Sequence, residues 1–358
     1  MKIVGFQSGH DVSYAILENG VPVIHEELER FTREKEPLGD GLKFFFEQNS
    51  NMDDVKYFTF GNPGGRSGKW VDECYSQSSQ DKMENIFKKN NGKYYKVGHH
   101  KSHAANAFFS SNFEESLIMT IDGGGTEEDG NVTSFTVWTG KGNKIKAIKV
   151  IPISQLNLGS PWRKYTGEIF GLSNGYPYGN SAGTVMGMAC VGKTKYVDDF
   201  YNAFLSGNSN HMCQIYKPIA DRSEKDKFDI AASLQLATER LAKEVMTPFV
   251  EEFKMKNLCL SGGVALNSVM VGKMYDWFDG IVENIYVDPI PYDGGLALGS
   301  ARYVWHHILD NPRIKWEDNS SSYLGTTYNK EDIEETIEQN KDKIIIRESS
   351  DDDVIELL

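Results

Sequence analysis

Leu117-Ile-Met-Thr-Ile-Asp-Gly-Gly-Gly125 is an apolar strand that runs into an acidic, glycine-rich turn. It is followed by a second strand, Thr133-Ser-Phe-Thr-Val-Trp138, a tight turn at Gly140-Lys-Gly142, and a third strand from Ile145 to Ile151. The N-terminus repeats the pattern. Lys2-Ile-Val-Gly-Phe6 leads into a polar Gly9-His-Asp11 turn, then Ser13-Tyr-Ala-Ile-Leu17, an Asn19-Gly20 turn and Val21-Pro-Val-Ile24. Two unrelated antiparallel meanders would read the same way, but both first turns carry Asp and Gly. The pattern therefore predicts two related lobes, each opening on a hairpin with polar residues at its tip.

Between the meanders lie helical segments near Gly41–Gln48 and Lys82–Asn90, and a loop over 61–68. They are followed by Val97-Gly-His-His-Lys-Ser-His-Ala-Ala-Asn-Ala-Phe-Phe109. His99 and His103 are four residues apart, so on a helix they share a face. With Asp122 at the end of the next strand and Asp293 beside Gly294 at a later helix start, they form a mixed nitrogen and oxygen donor set. Such a set suits a divalent ion and does not choose between iron, zinc and manganese. The alternative is a pair of solvated or core-satisfied histidines.

The second half alternates strand and helix, which indicates an α/β lobe. A glycine-rich loop spans 176–184, and the longest helix is expected from Lys225 to Glu252, with Pro248 kinking or ending it. Asn257-Leu-Cys-Leu-Ser-Gly-Gly263 is a strand ending in glycines, with a helix from Val264 to Trp277. Ile285-Tyr-Val287 is a strand, followed by a helix from Asp293 to Leu309. Glycines at 123–125 and at 262–263 let backbone approach phosphate, although tight turns need glycine too. Two such turns in separate lobes fit a nucleotide held in the cleft between them. Rossmann and Walker A signatures are absent. His10 and Asp11 are candidates to deprotonate a substrate hydroxyl, with turn stabilisation by Asp11 as the alternative. Glu26 to Lys35 reads as a solvated charged face, with Arg30, Arg33 and Lys35 available to an anion. No nucleophile motif is present.

A formal charge of −13, from 51 acidic and 38 basic residues, disfavours general nucleic-acid binding. Four dispersed cysteines form no zinc or disulfide framework. No signal peptide or apolar run long enough for a bilayer is evident, so a cytoplasmic protein is expected. Lys343 onward reads as a strand and then a helix capped by Ser349 or Ser350 that has barely begun at Leu358. This suggests a truncation.

Four motifs occur together and in order: His99-His-Lys-Ser-His-Ala104, Asp122-Gly-Gly-Gly125, Leu258-Cys-Leu-Ser-Gly-Gly-Val-Ala-Leu-Asn267 and Pro291-Tyr-Asp-Gly-Gly295. In this the chain resembles the NodU/CmcH/TobZ-type O-carbamoyltransferases over nearly its whole length. Gly9-His-Asp-Val-Ser13, Arg30-Phe-Thr-Arg-Glu-Lys35, Asp229-Ile-Ala-Ala-Ser-Leu-Gln235 and Tyr323-Leu-Gly325 add to the resemblance. It implies an α/β, bilobal fold of the actin/sugar kinase/Hsp70 type (ribonuclease H-like lobes), with nucleotide and metal in the interlobe cleft. Lobes would span 1–115 and 116–330, and residues 331–358 would begin a truncated YrdC-like domain.

By the same resemblance His99, His103, Asp122 and Asp293 would hold a divalent metal, iron being the expected ion. Gly123, Gly124 and Gly125 would meet the phosphate of ATP or carbamoyl-adenylate. Ser261, Gly262, Gly263 and Asn267 would hold the adenosine, with Gly294 also at the cofactor. His10 and Asp11 would lie near a small-molecule hydroxyl acceptor. The adenylate-forming YrdC-like domain would act in cis or in trans. The family segment Gly-Glu-Gly-Lys-Val-Met-Gly-Leu-Ala reads Ser181-Ala-Gly-Thr-Val-Met-Gly-Met-Ala189 here, so Ala182 and Thr184 replace a carboxylate and an ammonium. Competing readings are a nucleotide-binding regulatory module without catalysis and a tRNA threonylcarbamoyl-transferring enzyme.

Overall fold

The computed structural model describes residues 1–49, 54–62, 76–172, 181–314 and 323–357. Most of the two glycine-rich loops expected at 61–68 and 176–184 lies outside these residues. The described chain divides into one unit over Met1–Leu324 and a second over Gly325–Leu358.

The first unit is built on two five-stranded mixed sheets. In the first sheet, β1 (Lys2–Gln7), β2 (Ser13–Glu18) and β3 (Val21–Glu27) form the expected antiparallel meander. β4 (Val55–Phe60) and β5 (Lys93–Lys96) extend it in parallel on the other side of β1. In the second, β6 (Glu115–Thr126), β7 (Val132–Lys141) and β8 (Lys144–Pro152) are the meander. β9 (Asn257–Ser261) and β10 (Asn284–Val287) pair in parallel beyond β6. The spatial orders, β3-β2-β1-β4-β5 and β8-β7-β6-β9-β10, are the same arrangement twice. Strands β4 and β5 were not legible in the sequence. Lys93-Tyr-Tyr-Lys96 is a short, largely exposed strand with no apolar alternation.

Both central strands are covered on both faces, which is why they read as unbroken apolar runs. On one face of the first sheet, Phe6 and Phe58 pack against Phe45 of the Gly41–Gln48 helix. Asp40 caps that helix by accepting from Leu42 and Lys43 N–H groups. The other face carries Ile3, Ala15 and Leu17 against the helix Leu296–Arg302, contributed by the far end of the unit. A Cβ on Gly5 would stand 1.8 Å from the Ala297 carbonyl oxygen, so only glycine admits this approach. The second sheet places Met119 and Val137 against the long helix Glu224–Phe253. Its opposite face meets Ala104, Ala105 and Phe108 of the histidine helix, His99–Ser110. This helix in turn crosses Leu296–Arg302, where a Cβ on Gly299 would lie 2.1 Å from the Ser102 carbonyl oxygen. Two crossed helices thus form the seam between the sheets.

Several boundaries differ from the sequence reading. Asp122–Gly125 is not a tight turn. β6 continues through it with a register shift between Ile121 and Gly125, and the turn follows at Glu127–Gly130. After β9 the chain makes a 3₁₀ turn, Gly263–Leu266, before the helix Ser268–Trp277, which Asn267 caps by accepting from Met270 N–H. The helix expected over Asp293–Leu309 is a 3₁₀ turn at Asp293–Gly295, the α-helix Leu296–Arg302 and a π-helical stretch at Tyr303–Ile308. Pro248 lies inside Glu224–Phe253 without ending it. It sits on an exposed side of the helix.

The second unit carries the helix Lys330–Asn340, opened by an Asn329–Asp332 capping box, and the helix Asp351–Leu357, whose start Ser350 caps. No strand forms over 343–348, where Ile345 is 89% exposed. A single apolar segment with no neighbour to pair with has nothing to make it a strand.

Candidate functional site

The histidine helix begins directly behind β6. Glu127 accepts from His100 N–H at 2.7 Å and so caps the helix start. His100 turns inward between Thr120 and the Thr133 carbonyl, and burial pushes its pKa down to about 3, leaving a neutral core residue. His99 and His103, one turn apart, point the other way.

The structure brings His99, His103, Asp122 and Asp293 together, with one ligand atom from each lying within 4.8 Å of the others. His99 Nε2 is 2.8 Å from Asp122 Oδ2 and 3.4 Å from Asp293 Oδ1. His103 Nε2 is 3.2 Å from His99 Nε2, 3.3 Å from Asp293 Oδ1 and 3.7 Å from Asp122 Oδ2. Four atoms bound to one ion at about 2.0–2.2 Å would be separated by roughly 3.3–3.6 Å in a tetrahedron or about 2.8–3.1 Å in an octahedron. The observed spacings span these values, so the residues fit one metal ion. The electrostatics agree. Burial alone would lower the His103 pKa, but Asp122 and Asp293 outweigh it and carry it up to about 9. Burial alone would raise both carboxyls, yet the two histidines hold Asp122 well below the usual range and lower Asp293. Two carboxylates, Asp293 buried and Asp122 half-buried, thus favour positive charge between them.

The glycines have divided roles. A Cβ on Gly125 would stand 2.0 Å from His99 Cγ, so this residue makes room for the imidazole. Gly262, at φ +92°, lets β9 pass within reach of the Ile121 carbonyl. Gly263 N–H donates to Asp122 Oδ1 at 3.1 Å and anchors that carboxylate. Ser261 Oγ donates to the Pro291 carbonyl and lies 3.4 Å from His103 Nδ1.

His10 and Asp11 adjoin this cluster. Their Nδ1 and Oδ2 atoms are 2.8 Å apart, while His10 Nε2 lies 3.4 Å from Asp293 Oδ2. The turn that carries them holds Gly9 at φ 100° and Asp11 at φ 50°. Burial works against the His10 charge, but Asp11 and Asp293 outweigh it and raise the imidazole to about 9.

A cavity of about 630 Å³, in the range of small-molecule sites, opens beside these groups. Among the predicted residues His10, Asp11, Asp122, Gly123, Gly124, Gly263, Asn267 and Asp293 line it; His99, His103, Gly125, Ser261, Gly262 and Gly294 do not. The Gly294 carbonyl accepts from Ser13 Oγ and His25 Nε2, both at 2.8 Å. Asn267, besides its capping bond, exchanges hydrogen bonds with Gln235. The sequence reading missed Ser160, Trp162 and Arg163, which line the cavity from the helix Gly159–Glu168. Ser160 Oγ donates to the Gly123 carbonyl at 2.5 Å. The Gly159-Ser-Pro-Trp162 helix start was the available signal. Glu36 also lines the cavity, with its carboxyl raised to about 7 by burial and by Asp11. No helix among the described residues is long and apolar enough to cross a membrane.

The likeness to known proteins agrees with this geometry. The chain is 34% identical over 265 residues to the uncharacterized protein sll1178 of Synechocystis sp., an alignment covering 66% of this chain and 41% of that protein. It is 35% identical over 222 residues to the nodulation protein NolNO of Sinorhizobium fredii, covering 57% and 30%. It therefore spans less than half the length of these curated relatives. Among solved structures, HypF of T. kodakarensis superposes with a TM-score of 0.51 at 14% identity, over 86% of this chain and 48% of that one. A full-length HypF solved in its phosphate- and nucleotide-bound form gives 0.50 at 14% identity, over 88% and 56%. At this identity the likeness speaks for the fold alone, and it agrees with the bilobal α/β expectation. A family model, carbamoyltransferase N-terminus, matches residues 81–302 and so encloses His99, His103, Asp122 and Asp293. By that match, which takes in more than half of its length, the chain belongs to the carbamoyltransferase N-terminus family.

Proposed function

We propose that this chain carries the transfer half of an ATP-dependent O-carbamoyltransferase, moving a carbamoyl group from carbamoyl-adenylate to an acceptor hydroxyl. The observation that carries the reading is the meeting of His99, His103, Asp122 and Asp293 beside a cavity that His10 and Asp11 also line. A divalent ion held by the four, iron by the family resemblance, would supply Lewis-acid polarisation and a template. The neighbouring backbone at Gly123, Gly124 and Gly263 suits the adenylate phosphate, and Asn267 and Trp162 the nucleoside.

Asp11 holds His10 through Nδ1, and Asp293 faces its Nε2; a divalent ion that took up the Asp293 charge would bring the raised imidazole down and leave Nε2 able to accept a proton. The acceptor oxygen attacks the carbamoyl carbon, its proton passes to His10 Nε2, and the carbon–oxygen bond to the phosphate breaks. AMP leaves with the electron pair, and the carbamoyl ester remains on the acceptor. The adenylate must come from a YrdC-like domain, in cis or in trans. Ala182 lines the cavity where the resemblance expects a carboxylate, which favours one second reading: a module that binds nucleotide without transfer.

The test is the metal content of protein purified without a His-tag and without oxygen, wild type against His103→Ala, followed by calorimetry with AMP. Stoichiometric metal in the wild type, lost in the variant, with AMP bound, is the expected result. A wild type that takes up no metal on reconstitution overturns the proposal. Metal and AMP binding without carbamoyl transfer, when an adenylate-forming partner is supplied, leaves the second reading.

A further inference from the structure

Behind the metal-ligand cluster lies a second polar group that the proposed chemistry does not use. Arg302, Asp288 and Asn106 are buried, at 1%, 1% and 0% exposure. Arg302 Nη1 donates to the Asn106 carbonyl at 3.2 Å and to its side-chain oxygen at 2.5 Å, and lies 3.5 Å from Asp288 Oδ2. Asn106 Nδ2 donates to Asp288 Oδ1 at 3.1 Å and to the Ile290 carbonyl at 3.2 Å. Asp288 Oδ1 also accepts from Ile290 N–H at 2.8 Å.

The placement of these residues gives them their meaning. Asn106 is one turn beyond His103 on the histidine helix. Asp288 and Ile290 belong to the segment that ends in Asp293. Arg302 closes the helix that starts just after it. The three therefore join the elements that deliver His99, His103 and Asp293. A buried ion pair is a poor source of stability, because desolvation cancels most of its attraction and an apolar replacement of equal shape often serves as well. Its hydrogen bonds are directional, however, and they fix how far one element slides along another.

We infer that Arg302, Asp288 and Asn106 are positioning residues that set the spacing of the histidine pair relative to Asp293, and through it the affinity for the metal ion. This rests on the metal-centre reading above. Ligand atoms tolerate errors of only about 0.2 Å, and loss of outer partners typically weakens a metal site about 10–100-fold.

The test uses the full chain and two variants. Arg302→Met/Asp288→Asn removes both charges together, leaving no unpaired ion, and keeps an acceptor for Ile290 N–H. Asn106→Ser keeps the charges and cuts the bridge to the histidine helix. Iron and cobalt affinities are measured by chelator competition. The visible spectrum of the Co²⁺ form is recorded, with circular dichroism and thermal unfolding as fold controls. The expected result is a cooperative fold in both variants, metal affinity lower by about 10–100-fold, and shifted Co²⁺ bands. Wild-type affinity and an unchanged spectrum in the folded variants would overturn the inference and leave the metal centre standing. A wild type that binds neither metal would remove the centre itself, and the inference with it. Should the double variant not fold, Asn106→Ser alone decides between these outcomes.

Discussion

Gly125→Ala tests the site through a residue that offers no ligand. The added methyl would stand 2.0 Å from His99 Cγ and 2.1 Å from Cδ2, and Cβ atoms essentially never come closer than 3.0 Å to a heavy atom. The imidazole or the strand must therefore move by about 1 Å. His99 is 1% exposed and in contact with both Asp122 and His103, so any shift of the ring changes its distance to its fellow ligands. Ligand positions tolerate errors of about 0.2 Å, so the displacement is several times what a bound ion accepts. We expect metal affinity to fall by about 100-fold or more, the upper end of outer-partner losses, because a ligand itself is displaced. Chelator competition on reconstituted protein reads this directly. Gly272→Ala is the control: its added methyl meets nothing within 4 Å in a helix, so it should leave metal binding unchanged and raise stability by about 0.4–1 kcal/mol. Wild-type metal affinity in Gly125→Ala would refute the claim that this glycine exists to seat His99.

Three further outcomes are expected. Gly5→Ala drives a methyl to within 1.8 Å of the Ala297 carbonyl, so the helix Leu296–Arg302 must lift; chemical denaturation should show a loss of about 1–3 kcal/mol or an unfolded chain. Asn267→Ala removes the cap of Ser268–Trp277 and the partner of Gln235, costing about 1 kcal/mol in thermal unfolding and weakening AMP binding. Glu36 has a folded-state pKa raised to about 7, so its contribution to stability is present at low pH and is lost as pH rises from the ordinary glutamate range through about 7. Glu36→Gln should therefore melt at a higher temperature than wild type at pH 8, and this advantage should shrink as pH falls and vanish below about pH 4.5; an advantage that is independent of pH would contradict this reading of Glu36.

The meanders were legible because alternation and turn residues are local signals, and the histidine pair because its spacing matches one helical turn. What the sequence withheld was non-local. Nothing in Asp122-Gly-Gly-Gly125 says that the strand runs on through the glycines, since that depends on Gly125 facing an imidazole and Ser160 holding the Gly123 carbonyl. Gly294 reads like Gly263 in sequence, yet its carbonyl turns to Ser13 and His25. Trp162 and Arg163 reach the cavity only because Gly159 lets their helix touch the backbone at Gly123. Asn106 looks like one more polar residue on an alanine-rich helix until Asp288 and Arg302 are folded against it.

The closure of the first sheet by Leu296–Arg302 bears on how the chain reaches its native state. Ile3, Ala15 and Leu17 leave the ribosome early, but the helix that covers them is made near the end of that unit. At about 5–20 residues per second, that face of the nascent sheet stays bare for on the order of 15–60 s. The first sheet therefore lacks one of its two covering layers until that helix is made. The contacts that complete this face have high sequence separation, and contacts of that kind form slowly. Aggregation of chains released before residue 296 is the expected outcome, because the approach of Gly5 to Ala297 cannot form without that helix.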